Sequence, residues 1–231
     1  MIKTLLLDAG GVLTFPNWDR VSDILDRHGI GVPAEALRRA EPHAKFAIDS
    51  AYGVATTKDA DRGSRYFHLT FDAAGVTAGD ARTPALDDLW AYHQEHNLWE
   101  HVPADVVPTL DRLRAAGLTL AVASNANGVL QHLFDRLGLT PYFHAVCDSR
   151  VEGVEKPDPR FFQIVLERAG GQPETAMHVG DLYYVDVLGA RSAGIEPLLL
   201  DPHGLYRDFD VPRIASLSEL GSLVTRQTAI P

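Results

Sequence analysis

Residues 176–186 read "AMHVGDLYYVD". A short apolar run, Ala176–Val179, stops at Gly180-Asp181, and a second carboxylate, Asp186, follows. A short apolar stretch bounded by turn residues is the pattern of a strand buried on both faces. Placing a carboxylate at its end is costly unless that charge is capped or used. Asp181 is therefore either the cap of the next helix or part of a site.

Similar runs occur elsewhere. "LLLDAGGVLT" (5–14) is apolar until Asp8, "LTLAVASNAN" (118–127) turns polar at Ser124, and "IEPLLLD" (195–201) ends in Asp201. "HAVCDS" (144–149) is a fainter copy. Helical patterns lie between them. Val106, Leu110 and Leu113 share one face, as do Val129, Leu130, Leu133 and Leu137. Phe161, Ile164, Val165 and Arg168 form a third stripe, and Asp186 to Gly194 reads as a fourth helix. Alternating strands and helices predict an α/β fold, a three-layer Rossmann-like parallel sheet. Ligands in such sheets bind beyond the carboxyl ends of the strands, where Asp8, Ser124 and Asp181 fall.

Residues 16–100 break the alternation. Val21, Ile24 and Leu25 are at helical spacing, Pro33 suits a first helical position, and Leu86, Leu89 and Trp90 face inward in a later helix. This predicts an all-helical cap at 16–100, inserted into a core formed by 1–15 and 101–231.

Composition narrows the function. The 231-residue chain carries a formal charge of −10, divided evenly at −5 between insert and core. Neither part is a basic module, which argues against nucleic acid and anionic membranes as partners. No run approaches the roughly 20 apolar residues of a bilayer span, and the amino terminus does not read as a signal peptide. One cysteine, Cys147, allows no internal disulfide. A reduced, cytoplasmic setting is the expectation.

Asp8, Ser124, Lys156 before Pro157, and Gly180-Asp181 with Asp186 follow one another in order. In that combination the sequence resembles the haloacid dehalogenase superfamily of phosphohydrolases. "LLLDAGGVLT", "LAVASNAN", "VEKPDP" and "HVGDLYYVDVLGARSAGI" look like its four motifs, with a helical cap between the first two. The resemblance implies a Mg²⁺-dependent hydrolase acting on a small phosphorylated metabolite. Asp8 would be the nucleophile that forms an aspartyl-phosphate. The metal ligands would be Asp8, the carbonyl of Gly10, Asp181 and Asp186, the last through water or by orienting the others. Lys156 would offset charge. Ser124, with backbone amides at Ala9, Gly11 and Asn125, would hold the phosphoryl oxygens.

One position departs from the pattern. Phosphatases of the superfamily usually carry a second Asp two residues after the first, and here Gly10 stands there. The backbone carbonyl survives and the proton donor does not. Such a donor is worth about 10²–10⁴ in rate, or roughly 3–5 kcal/mol. Four readings follow: a slow phosphatase favouring leaving groups that need no proton; another acid, with Thr14, His101 and Tyr183 nearby in sequence; phosphonate or halide chemistry; and a regulator that binds Mg²⁺ and phosphate without turnover. For phosphonate chemistry, the cap offers Lys45 and Lys58.

Other polar residues have plainer readings. His93 and His96 form a surface pair, and His178 is a hydrogen-bonded core histidine. Trp90 and Trp99 pack the cap. Arg62, Arg65 and Tyr66 either face substrate or form a solvated helix face.

Overall fold

The computed structural model describes residues 1–76, 79 and 81–221. The chain opens with strand β1 (Thr4–Leu7) and then enters five helices: α1 (Trp18–Arg27), α2 (Ala34–Ile48), α3 (Ala51–Thr56), α4 (Asp59–Ala73) and α5 (Arg82–His96). Alternation resumes with α6 (Val106–Ala115), β2 (Thr119–Ser124), α7 (Leu130–Arg136), β3 (Ala145–Asp148), α8 (Ser149–Glu152) and α9 (Pro159–Ala169). It continues with β4 (Ala176–Gly180), α10 (Leu188–Ser192), β5 (Glu196–Leu200) and β6 (Arg213–Ile214), and residues 217–221 are again helical.

The six strands form one parallel sheet in the order β3-β2-β1-β4-β5-β6. The chain winds outward from β1 through β2 to β3, then returns to the other side at β4. The switch point therefore lies between β1 and β4, where open sheets of this kind bind ligands. Successive side chains take opposite faces. Leu5, Leu7, Leu120, Val122 and Val179 pack with Leu110 and Leu113 of α6 and Leu133 and Phe134 of α7. Leu6, Ala121, Ala123 and Cys147 pack with Phe161, Phe162, Val165 and Leu166 of α9. Helices on both faces make three layers, as the alternation predicts.

Contacts divide the chain into two compact units, Met1–Phe15 with the chain from His101 onward, and Pro16–Glu100. Among its described residues the second has helices and no strand, and it has its own core, in which Trp18, Trp90 and Trp99 meet the Phe67 ring edge-on. Among the described residues, no helix is long and apolar enough to cross a membrane.

Several local expectations change. Arg168 is exposed, and Phe162 and Leu166 fill the buried stripe of α9 in its place. Pro33 caps α2 without entering it, and α2 runs on through Pro42 because Ala44 and Ile48 beyond it are buried. The helix after β4 begins earlier, with a π-helical turn over Tyr183–Val187. Arg62 and Tyr66 are buried, with Arg62 bonded to the Thr57 carbonyl and Tyr66 to Glu41, so they form neither a solvated face nor a free substrate contact. His93 is half-buried against the Trp90 and Trp99 rings, so it is not one of a surface pair.

Candidate active site

Asp8 follows the last residue of β1, and its amide continues the ladder by donating to the Val179 carbonyl at 2.9 Å. Asp181 follows the last residue of β4, the neighbouring strand. These strands flank the switch point. Asp8, Asp181 and Asp186 are buried, and one side-chain oxygen from each lies within 4.8 Å of the others. Lys156 is 0% exposed and stands among them, with its Nζ 2.9 Å from Asp8 Oδ2 and 2.7 Å from Asp186 Oδ1.

Glycines allow this crowding. Gly11 has φ +78°, and a Cβ there would lie 1.8 Å from Asp181 Oδ2. Both the backbone region and the space exclude a side chain. A Cβ on Gly180 would lie 2.2 Å from Asp186 Cγ.

Asp186 is saturated. Its Oδ1 accepts from Lys156 Nζ and faces His178 Nε2 at 3.0 Å. Its Oδ2 accepts from the amides of Asp181 at 3.1 Å and Leu182 at 3.0 Å. The turn after β4 is thus wrapped around this carboxylate. His178 is buried, as expected of a core histidine, and its Nδ1 lies 3.1 Å from the Leu6 carbonyl. The Leu6 carbonyl and the Asp186 carboxylate both only accept, and a neutral imidazole has one N–H, so the ring donates to one of the two at a time. His178 thus lies between β1 and Asp186.

Burial governs the charges. It pushes Asp8 up to about 8, against the pull of Lys156 and with help from Asp186 and Asp181. Burial acts the same way on Asp186, but Lys156 and His178 outweigh it and hold that carboxyl below the usual range. Burial would lower Lys156, yet Asp186 and Asp8 keep the ammonium above its ordinary value. For His178, burial wins and lowers the imidazole. The cluster holds more carboxylate than Lys156 can offset, and a cation of hard-oxygen preference matches that donor set.

The remaining sequence-derived residues divide. Ser124 is the buried last residue of β2, and its hydroxyl donates to the Asn125 carbonyl at 3.4 Å. The Ala9 amide donates to Asp8 Oδ1 at 2.7 Å. The Gly11 amide donates to the Thr14 carbonyl at 2.9 Å. Thr14, a candidate acid, is buried, and its hydroxyl donates to the Ala9 carbonyl. The Asn125 side chain turns to the Lys156 backbone. Sequence reasoning missed that contact and the partnership of His178 with Asp186.

The model of haloacid dehalogenase-like hydrolases matches residues 2–194. The chain belongs to this family. It is 37% identical over 215 residues to haloacid dehalogenase-like hydrolase domain-containing protein 3 of Homo sapiens, covering 85% of this chain and 81% of that protein. With the Mus musculus protein of that name it is 38% identical over 131 residues, 57% of this chain and 52% of that one. The chain thus spans about half the length of that relative. Glyceraldehyde 3-phosphate phosphatase of Methanopyrus kandleri is 36% identical over 121 residues, 52% of each chain. Among solved structures, 2-haloacid dehalogenase of Pseudomonas syringae superposes with a TM-score of 0.60 at 29% identity, covering 98% of this chain and all of that one. As a haloacid dehalogenase-like hydrolase, the protein is an enzyme of an α/β fold.

Proposed function

We propose that the protein is a Mg²⁺-dependent hydrolase of small phosphate esters that works through an aspartyl-phosphate on Asp8. The observation that carries this is the cluster of Asp8, Asp181 and Asp186 oxygens within 4.8 Å, with Lys156 bonded to two of them. The similarity to a glyceraldehyde 3-phosphate phosphatase supports the substrate class.

Asp8, Asp181 and the Gly10 carbonyl would hold Mg²⁺. Asp186, with both oxygens already bonded, would orient them or reach the ion through water. Bound Mg²⁺ neutralises phosphoryl and carboxylate charge, so one anion can approach another. An Asp8 oxygen attacks phosphorus, forming an O–P bond as the ester P–O bond breaks and the leaving group departs as its oxyanion. Water then attacks phosphorus, the Asp8–phosphorus bond breaks, and phosphate leaves with the Asp8 carboxylate restored. Lys156 holds Asp8 in place and offsets charge throughout. Ser124 and the amides of Ala9, Gly11 and Asn125 would turn to the phosphoryl oxygens when substrate binds. Substrate selection falls to the helical insert, residues 16–100, as a cap.

No carboxyl stands at position 10 to protonate the leaving oxygen. Aryl and acyl phosphates, whose leaving groups need no proton, are the substrates this site favours. A second reading, halide displacement by Asp8, draws on the 29% identity to a 2-haloacid dehalogenase. That chemistry needs no cation, and the three-carboxylate cluster weighs against it.

The test compares p-nitrophenyl phosphate with a simple alkyl phosphate, each with and without Mg²⁺, beside chloride release from 2-chloropropionate. Mg²⁺-dependent aryl hydrolysis well above the alkyl rate is expected. Chloride release without Mg²⁺ would establish the dehalogenase. Silence on all three, with Mg²⁺ still bound, would leave a binding module.

A further inference from the structure

We infer that Asn125 is a positioning residue whose side chain clamps the main chain of Lys156. The Lys156 amide donates to Asn125 Oδ1 at 2.8 Å, and Asn125 Nδ2 donates to the Lys156 carbonyl at 3.0 Å. A main-chain N–H can only donate and a carbonyl only accept, so the orientation of the side-chain amide is fixed. The pair acts as one rung of a ladder between the loop after β2 and the segment before α9.

The same segment is confined from another element. A Cβ on Gly189 in α10 would lie 3.0 Å from the Pro157 Cα and 2.7 Å from the Phe162 ring. Lys156 is thus gripped at its backbone, and its buried side chain runs on to Asp8 and Asp186. A lysine has a four-carbon flexible stem, so its ammonium is placed only when its backbone is placed. Asn125 fixes the base of the lever whose tip meets Asp8. This role uses the side chain, whereas the phosphate role uses only the backbone amide.

The kinetic half of the test rests on the proposed phosphatase reaction; the other half does not. In Asn125→Ala, amide exchange at Lys156 should accelerate by about tenfold or more while the Leu5–Leu7 amides stay protected. Unchanged Lys156 exchange would overturn the clamp, whether or not the enzyme turns over. With p-nitrophenyl phosphate and Mg²⁺, Asn125→Ala should lower kcat by about tenfold with little change in KM. Combined with Lys156→Ala, it should cost nothing further, since both remove one device. A double variant slowed by the product of the two single effects would mean that Asn125 acts on substrate directly, and would overturn the proposal. If Lys156→Ala does not fold, Lys156→Met serves in the same cycle. A wild-type enzyme silent on the ester would refute the phosphatase reaction, and the exchange measurement would still decide the clamp.

Discussion

Gly11 and Asp181 share a space that no larger residue could enter, with the Asp181 carboxylate packed where a Cβ would begin. Gly11→Ala is therefore expected to destabilise the protein by about 1–3 kcal/mol through strain at positive φ. It should also weaken Mg²⁺ binding by tenfold or more, because Asp181 must move. Thermal melts and calorimetric Mg²⁺ titration check both, and wild-type affinity in the variant would contradict this account of the glycine. Asp8 and Asp181 were legible in the sequence because carboxylates stand at strand ends, whereas Lys156, in a loop, and Asp186, in a helical turn, were picked out only by the ordered motifs and the family resemblance. The Asn125 clamp and the His178–Asp186 contact were not. Asn125 and Lys156 are 31 residues apart, and nothing in local spacing says which polar neighbour a side chain will choose.

At the scale of elements, α5 ends on a titratable acceptor. His93 Nδ1 accepts from the Leu98 amide at 3.2 Å, just past Asn97 at φ 65°. Burial pushes His93 down to about 4 from 6.5. Its folded value lies below its unfolded one, so its contribution is complete above about pH 6.5 and is lost as pH falls toward 4. The loss is at most about 3 kcal/mol. Denaturation from pH 8 to pH 4 should show that slope, and His93→Gln should flatten it; an equal slope in both would sink this assignment. Long periodic helices and apolar strands were readable because burial repeats along them. β6 spans two residues and α3 six, too short to carry a period. The run of α2 past Pro42 is decided by burial of its far end, which outweighs the missing N–H.

For the whole molecule, the order of strands brings separate pieces of sequence to one switch point. Alternation foretold a parallel sheet with carboxylates at its ends, but the neighbours of each strand follow from packing of the complete chain. Among the motif carboxylates, the departure at Gly10 sets the expected selectivity. Gly10→Asp should raise the rate on alkyl phosphates by about 10²-fold or more while changing aryl phosphates little; an unchanged alkyl rate would reject the missing-acid account. With no carboxyl at position 10 to activate water, the aspartyl-phosphate should also accumulate. The direct test is to quench the enzyme during turnover of p-nitrophenyl phosphate, reduce it with borohydride and map the modified peptide by mass spectrometry. Homoserine at position 8, dependent on Mg²⁺ and substrate and absent from Asp8→Asn, is the predicted result. Sustained phosphate release with residue 8 unmodified, or undiminished turnover in Asp8→Asn, would contradict it.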